Sequence, residues 1–508
     1  MKKKVGSIVG VSVLAISMMG TSVFANELDL VKQNQNSNYG YDISSHFNGL
    51  NVHQKQDGYS QVEENQHVSG LVFGSQNQKS TDYSVGSQNA DSKNQEDSEI
   101  TQSQKSQSYK SQSESTEGFL FASRQNQQSE NTSFADQYAK GKADNQKQTA
   151  FHDTMQNAAN FGMFGMADQR QSSINVMLGE DGQPGQKQIA RGSHDNQAQS
   201  NVNLTSQEAL AASGLGITKQ NQGSYNESSE TQKAKGKYNS QKQNTLNVTS
   251  QSAAGAGIIF GGSNQSQQSS NFTKLKQTAN GMNNNQKQNT MNGTSQTALG
   301  AGGLLGLNEQ SQSSMNAGQQ KQKAKGNNIN QKQTGINETS QTVLGAGGLF
   351  GASKQSQSSM NLGGQKQYAN GSNINQKQTG INETSQTAMG AGGLVGANKQ
   401  NQSAANVEWD KQTATGVGNK QNQNSWNNTE QNQVDLAIGG LNKQNQNVDN
   451  YAEKKQKADG MGINQNQGSM VYNSQSQSGV GAGSTQSQNS SSVVIQNQSA
   501  SNTGLILE

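Results

Sequence analysis

Polar side chains, rather than apolar ones, carry the periodic signal in this chain. The pattern Gln-x-Gln-x-x-x-Asn-x-x-x-Gln occurs at Gln286, Gln288, Asn292, Gln296 and at Gln310, Gln312, Asn316, Gln320. It returns at Gln331, Gln333, Asn337, Gln341, at Gln355, Gln357, Asn361, Gln365 and at Gln376, Gln378, Asn382, Gln386. Every offset is even. Side chains alternate between faces in an extended chain, so these amides point one way. In a helix, positions two apart sit on opposite flanks, and the Gly, Asn, Ser and Thr content opposes helix formation. The pattern predicts strands.

The first Gln of each pair falls at Gln33, Gln54, Gln76, Gln102, Gln125, Gln146, Gln169, Gln197, Gln220, Gln241 and Gln265. It continues at Gln286, Gln310, Gln331, Gln355, Gln376, Gln400, Gln421, Gln444, Gln465 and Gln486. Between Gln220 and Gln421 the steps alternate strictly, 21 then 24, which makes a 45-residue double repeat of two unequal halves. Pairs such as Gln186 and Gln188 lie off this register and read as Gln abundance. The longer half also carries a glycine-apolar segment, as in Gly300-Ala301-Gly302-Gly303-Leu304-Leu305-Gly306, Gly345 to Gly351 and Gly390 to Gly396. Glycine permits tight turns and close backbone approach, so this segment reads as a turn with a small apolar strip, the one oily seam of the fold.

These features predict an all-β, repetitive β-solenoid. About 22 residues suffice for a strand-turn-strand unit, and 21 such layers at about 4.8 Å each would stand roughly 100 Å tall. Amides at equivalent positions of successive layers can each donate to one neighbour and accept from the other, which satisfies groups that are costly to bury alone. The twenty Gln and Asn residues named first are the candidate ladder.

Units of this length with Gln and Asn at fixed places and a Gly-rich remainder resemble, in repeat architecture, the repeats of curlins, the secreted subunits of bacterial curli amyloid. The resemblance covers most of the mature chain. It implies a functional-amyloid or matrix-fibre role.

Composition agrees with a core built from hydrogen bonds. Only 28% of residues are hydrophobic and 14% charged, the net charge is +3, and there is one Pro and no Cys. Disulfides and thiolate metal sites are therefore ruled out. Lys2, Lys3 and Lys4 precede an apolar stretch from Val5 to Gly20 and then Val23-Phe24-Ala25, which reads as a secretory signal peptide over 1–25, with the mature chain starting near Asn26. No later apolar run is long enough to cross a bilayer, so a secreted, extracellular or cell-surface location is expected. The chain then divides into less regular repeats over 26–190, regular repeats over 191–500 and a tail over 501–508. The run from Gly179 to Gly185 reads as an insertion where the register takes its longest step.

No catalytic, cofactor or metal constellation emerges. His46, His53, His67, His152 and His194 have irregular spacing and are expected at exposed or surface positions. The carboxylates do not recur in register, and the Gly-Ala-Gly-Gly segments lack the Lys-Ser/Thr of a phosphate loop. Lys287, Lys332 and Lys377 are expected to form a column that keeps the stack soluble, with anionic wall polymers as alternative partners and no specific nucleic acid. Three readings follow: a self-associating, non-enzymatic fibre or matrix protein, a monomeric β-solenoid adhesin for a surface or glycan, and a disordered matrix polymer.

Overall fold

The computed structural model describes residues 23–48, 52–91, 99–177, 185–257, 261–303, 305–348, 350–391, 397–436, 441–480 and 483–501. The expected signal peptide, apart from 23–25, and the C-terminal tail from 502 lie outside the described residues. Fifteen strand segments form one hydrogen-bonded stack, and every described pairing is parallel. Leu307–Ala346 lies on Ala352–Ala391 with partners 45 residues apart, Gln310 on Gln355 and Gln331 on Gln376. The fold is the expected all-β solenoid.

Its layer is twice the expected size. Inside Leu307–Ala346, even positions from Asn308 to Ala324 point inward, and after an arc at Gly326 and Asn328 the odd positions from Ile329 onward do so. The two halves face each other across the interior, because Gln310 reaches the Leu344 carbonyl, Gln312 that of Thr342 and Gln322 that of Lys332. Each half-repeat is therefore one long strand, and the 45-residue double repeat is one layer. No turn interrupts the half-repeat, since the even offsets run through it without a break. The 21-residue step passes round the Gly326 arc, and the 24-residue step passes round the glycine-apolar arc into the next layer. The predicted column accordingly splits into two sheets, one running from Gln33 through Gln76, Gln265 and Gln310 to Gln486, the other from Gln54 through Gln286 and Gln331 to Gln465. Ten steps of about 4.8 Å make a stack roughly 50 Å tall, half the expected height.

The Gly326 arc is governed by a motif, Ala-x-Gly, that recurs as Ala234-Lys235-Gly236, Ala279-Asn280-Gly281, Ala324-Lys325-Gly326, Ala369-Asn370-Gly371, Ala414-Thr415-Gly416 and Ala458-Asp459-Gly460. Ala is the last inward residue, and Ala324, Ala369 and Ala414 pack with Ile329 and Ile374 into a buried apolar cluster. Gly326 and Gly371 have φ of 138° and 153°, and a Cβ on Gly326 would stand 1.4 Å from the Gly281 carbonyl oxygen below it. No side chain fits there. Gly326→Ala is expected to lower stability by roughly 2–4 kcal/mol, since the backbone of two layers must shift. An unchanged denaturation midpoint would show that the arc is not held this tightly.

The oily seam is thus on the Ala-x-Gly side. At the other arc, Leu305 and Phe350 are about half exposed, at 50% and 53%. These two face outward instead, and Leu210, Leu299, Leu344, Met389 and Val434 form an outward column beside that arc. Before the arc the inward places are taken by residues such as Val343 and Gly345.

The expected insertion is visible as register. Met177 pairs with Ser228 and Gln186 with Glu230, so eight residues stand where the next layer has Ser229 alone. Residues 178–184 themselves lie outside the described residues. The ladders pass this point without interruption, Gln197 donating to Gln146 and Gln220 to Gln169.

Candidate functional site: amide ladders

Eighteen of the twenty predicted ladder residues sit in continuous columns. Glutamine Nε2 donates to the Oε1 of the glutamine one layer earlier: Gln286 to Gln241 at 2.8 Å, Gln331 to Gln286 at 2.8 Å and Gln376 to Gln331 at 2.8 Å. The same bond joins Gln333 to Gln288, Gln378 to Gln333, Gln341 to Gln296, Gln386 to Gln341, Gln312 to Gln267, Gln357 to Gln312 and Gln310 to Gln265. Gln355 lies 3.5 Å from Gln310 at the long end of this range. The second N–H of many of these amides crosses the interior to a backbone carbonyl, so one side chain ties together two layers and two sheets.

The inward asparagine columns run the other way. Asn292 donates forward to Asn337, Asn337 to Asn382, Asn316 to Asn361 and Asn361 to Asn406. Threonines join them: Thr339 donates to Asn361 and accepts from Asn316. Glutamine and asparagine dipoles therefore oppose each other along the stack axis. Chains of amide bonds polarise one another, and the opposed columns limit the summed dipole.

Gln320 and Gln365 are the two exceptions. They face inward, but Gln320 donates to Thr290 and to the Thr334 carbonyl, Gln365 to the Thr379 carbonyl, and the Oε1 of each is buried without a partner. Their column reads Gln186, Glu230, Leu275, Gln320, Gln365, Asp410, Lys454, and no ladder can persist through it. The unbroken ladder lies two residues on, where Gln322 donates to Gln277 and Gln367 to Gln322. Gln188 belongs to it, donating to Gln137 and accepting from Gln232, which corrects its reading as mere abundance. The signal was present in the sequence as a Gln two residues after each Gln320-like position, at Gln232, Gln277, Gln322, Gln367, Gln412 and Gln456.

Ionisable groups interrupt the amides at a few inward places. Glu408, Asp410 and Lys454 are buried in neighbouring layers, and Lys454 donates to the Gly468 carbonyl. Burial raises both carboxyl pKa values, and burial pushes Lys454 down to about 8. Gly363 and Gly380 make room for the Glu408 carboxyl, which stands where their Cβ atoms would be. Burial likewise pushes Glu230 and Glu114 up to about 8. His152 corrects the expectation of exposed histidines: it occupies the Asn203 column, fully buried, and burial with the Lys110 charge pushes its pKa down to about 3. His194 stacks on Tyr238 with ring centres 4.7 Å apart.

No protein family, curated protein or solved structure matches this chain. Among the described residues no group of three or more His, Asp or Glu is placed to hold a metal ion, and no helix is long and apolar enough to cross a membrane. The arrangement offers a surface that repeats itself. Each layer presents glutamine acceptors toward the C-terminal side and glutamine donors toward the N-terminal side, at the same positions in every layer.

Proposed function

We propose that this chain is a secreted, non-enzymatic structural protein that builds extracellular fibres or matrix by adding layer upon layer of Gln/Asn-rich strands, in the manner the resemblance to curlins implies. The observation that carries this reading is the constancy of the glutamine columns. They stay in register through steps of 42, 44, 45 and 51 residues, so a layer accepts any layer with the same amide pattern, whatever the arc between them. A second copy of the chain supplies that pattern. Parallel strands with open N–H and C=O rows template further strands, and identical amides in register give such stacks their stability.

The test is electron microscopy and fibre diffraction on residues 26–508 after incubation at neutral pH. Unbranched fibrils many times longer than one stack, with reflections near 4.7 and 10 Å, are expected. Discrete rods of roughly 50 Å that remain monodisperse at high concentration would overturn self-assembly and favour a monomeric solenoid.

A further inference from the structure

We propose that the outward face of the first sheet binds a linear anionic polysaccharide along a column of lysines. Lys276, Lys321, Lys366, Lys411 and Lys455 occupy one outward position in five successive layers. Strand spacing sets them about 4.8 Å apart. Lys274, Lys323 and Lys325 stand in the columns on either side, and in these four columns no acidic residue occurs between Ser229 and Thr415. At the far end the charge is balanced, Lys455 pairing with Glu453 and Lys457 with Asp459. Among the described residues no ion pair reaches Lys276, Lys321, Lys366 or Lys411.

Stacked like charges repel. The pKa of Lys321 is lowered, first by partial desolvation and then by the neighbouring ammonium groups of Lys323, Lys276 and Lys366. The column also borders a groove of about 650 Å³ whose lining includes Gly318, Gly363, Gly364 and Trp409. Gly364 faces outward and leaves one place on its floor free of a side chain, Gly318 and Gly363 turn inward, and Trp409 is 44% exposed. Tyr368 lies under the ammonium groups of Lys321, Lys323 and Lys411, at 5.9, 5.9 and 6.0 Å, and holds them along the face.

A polymer that fits must carry one negative charge per unit of about the strand spacing and offer a flat face to an indole. A chain of uronic acids does both, since a pyranose ring is about as long as the gap between strands. Single-stranded nucleic acid fits less well, because it is held by aromatic rings under successive bases, and in these four columns the layers from Ser229 to Thr415 hold two rings, Tyr368 and Trp409, not one per layer. The proposal holds for a single stack and for a fibre alike, so it stands or falls separately from self-assembly.

The test is binding of soluble residues 26–508 to polygalacturonate over a range of salt, with dextran and single-stranded DNA as comparisons. The control is the lysine column of the opposite sheet, Lys242, Lys287, Lys332 and Lys377, which is equally regular and does not line the Trp409 groove. The quadruple variant K276Q/K321Q/K366Q/K411Q should bind polygalacturonate at least about tenfold more weakly and flatten the salt dependence by roughly two to three logarithmic slope units. K242Q/K287Q/K332Q/K377Q should stay within about twofold, and Trp409→Ala should weaken binding without changing the salt slope. An unchanged β-type circular dichroism spectrum shows that each variant is folded. Equal losses in both quadruple variants, no binding by the parent chain, or tighter binding of DNA than of polygalacturonate would each overturn the proposal.

Discussion

Replacing Gln197, Gln286 and Gln376 together by Leu will destabilise the stack far more than replacing Gln286, Gln331 and Gln376, although each set removes three glutamines from one column. The column runs Gln146, Gln197, Gln241, Gln286, Gln331, Gln376, Gln421, each residue donating to the one before. The alternating set strands Gln241 and Gln331 on both sides and also orphans the Gln146 acceptor and a Gln421 donor. The consecutive set orphans only the Gln241 acceptor and a Gln421 donor, because the three leucines meet one another. A buried polar group left without its partner costs about 1–3 kcal/mol, whereas removing both partners of a bond is nearly neutral. The alternating variant should therefore be less stable by at least about 4 kcal/mol. Urea denaturation followed by circular dichroism measures the difference. Coincident midpoints for the two variants would mean that the amides do not act as a chain.

The second large effect is expected from Glu230. Its carboxyl is fully buried, accepts one bond from Thr245 and leaves Oε2 without a partner, and burial lifts its pKa from 4.5 to about 8. The folded state thus holds a proton that the unfolded state has released between pH 4.5 and 8. Stability must fall as pH rises through that window and level off on either side. Glu114, Asp195, Asp144 and Asp435, pushed up to about 8, 7, 6 and 6, add to the same trend. His152 acts in the opposite sense, its contribution being lost as pH falls below the ordinary histidine range toward 3. Glu230→Gln should stabilise the protein by about 3 kcal/mol at pH 7 and by little at pH 4. A glutamine there also gains a partner, since the Gln186 Oε1 in the preceding layer is unpaired and takes the place an acceptor holds in every other glutamine column. Parallel pH profiles for parent and variant would show that Glu230 is not protonated in the fold.

Both predictions depend on positions that sequence reasoning located unevenly. Gln286, Gln331 and Gln376 stood out because an even spacing repeats in every unit, and inward facing follows from even spacing alone. Gln320 and Gln365 satisfied the same rule and face inward as expected, yet their column holds Glu230, Leu275, Asp410 and Lys454 in other layers. Facing inward does not make a ladder; the column must keep the same side chain from layer to layer. The Gln322 column meets that condition, but its glutamines, like Gln188, lie off the register set by the first Gln of each pair and so read as abundance in the sequence alone. His152 and Glu230 were unreadable as buried groups for a related reason, since the register of their layers became clear only through the pairing of neighbours.

What the amino-acid order determined by itself is the strand, its inward face and the 45-residue period, because side-chain alternation in an extended chain is a local property of the backbone. Tertiary structure alone decided that a half-repeat is one strand and not two, which arc encloses the apolar cluster, and which lysines stand above one another. Those depend on where the chain reverses. The reversal is set at Gly326 and its equivalents by contact with the carbonyl of the layer beneath, a contact between residues 45 positions apart that no local pattern specifies.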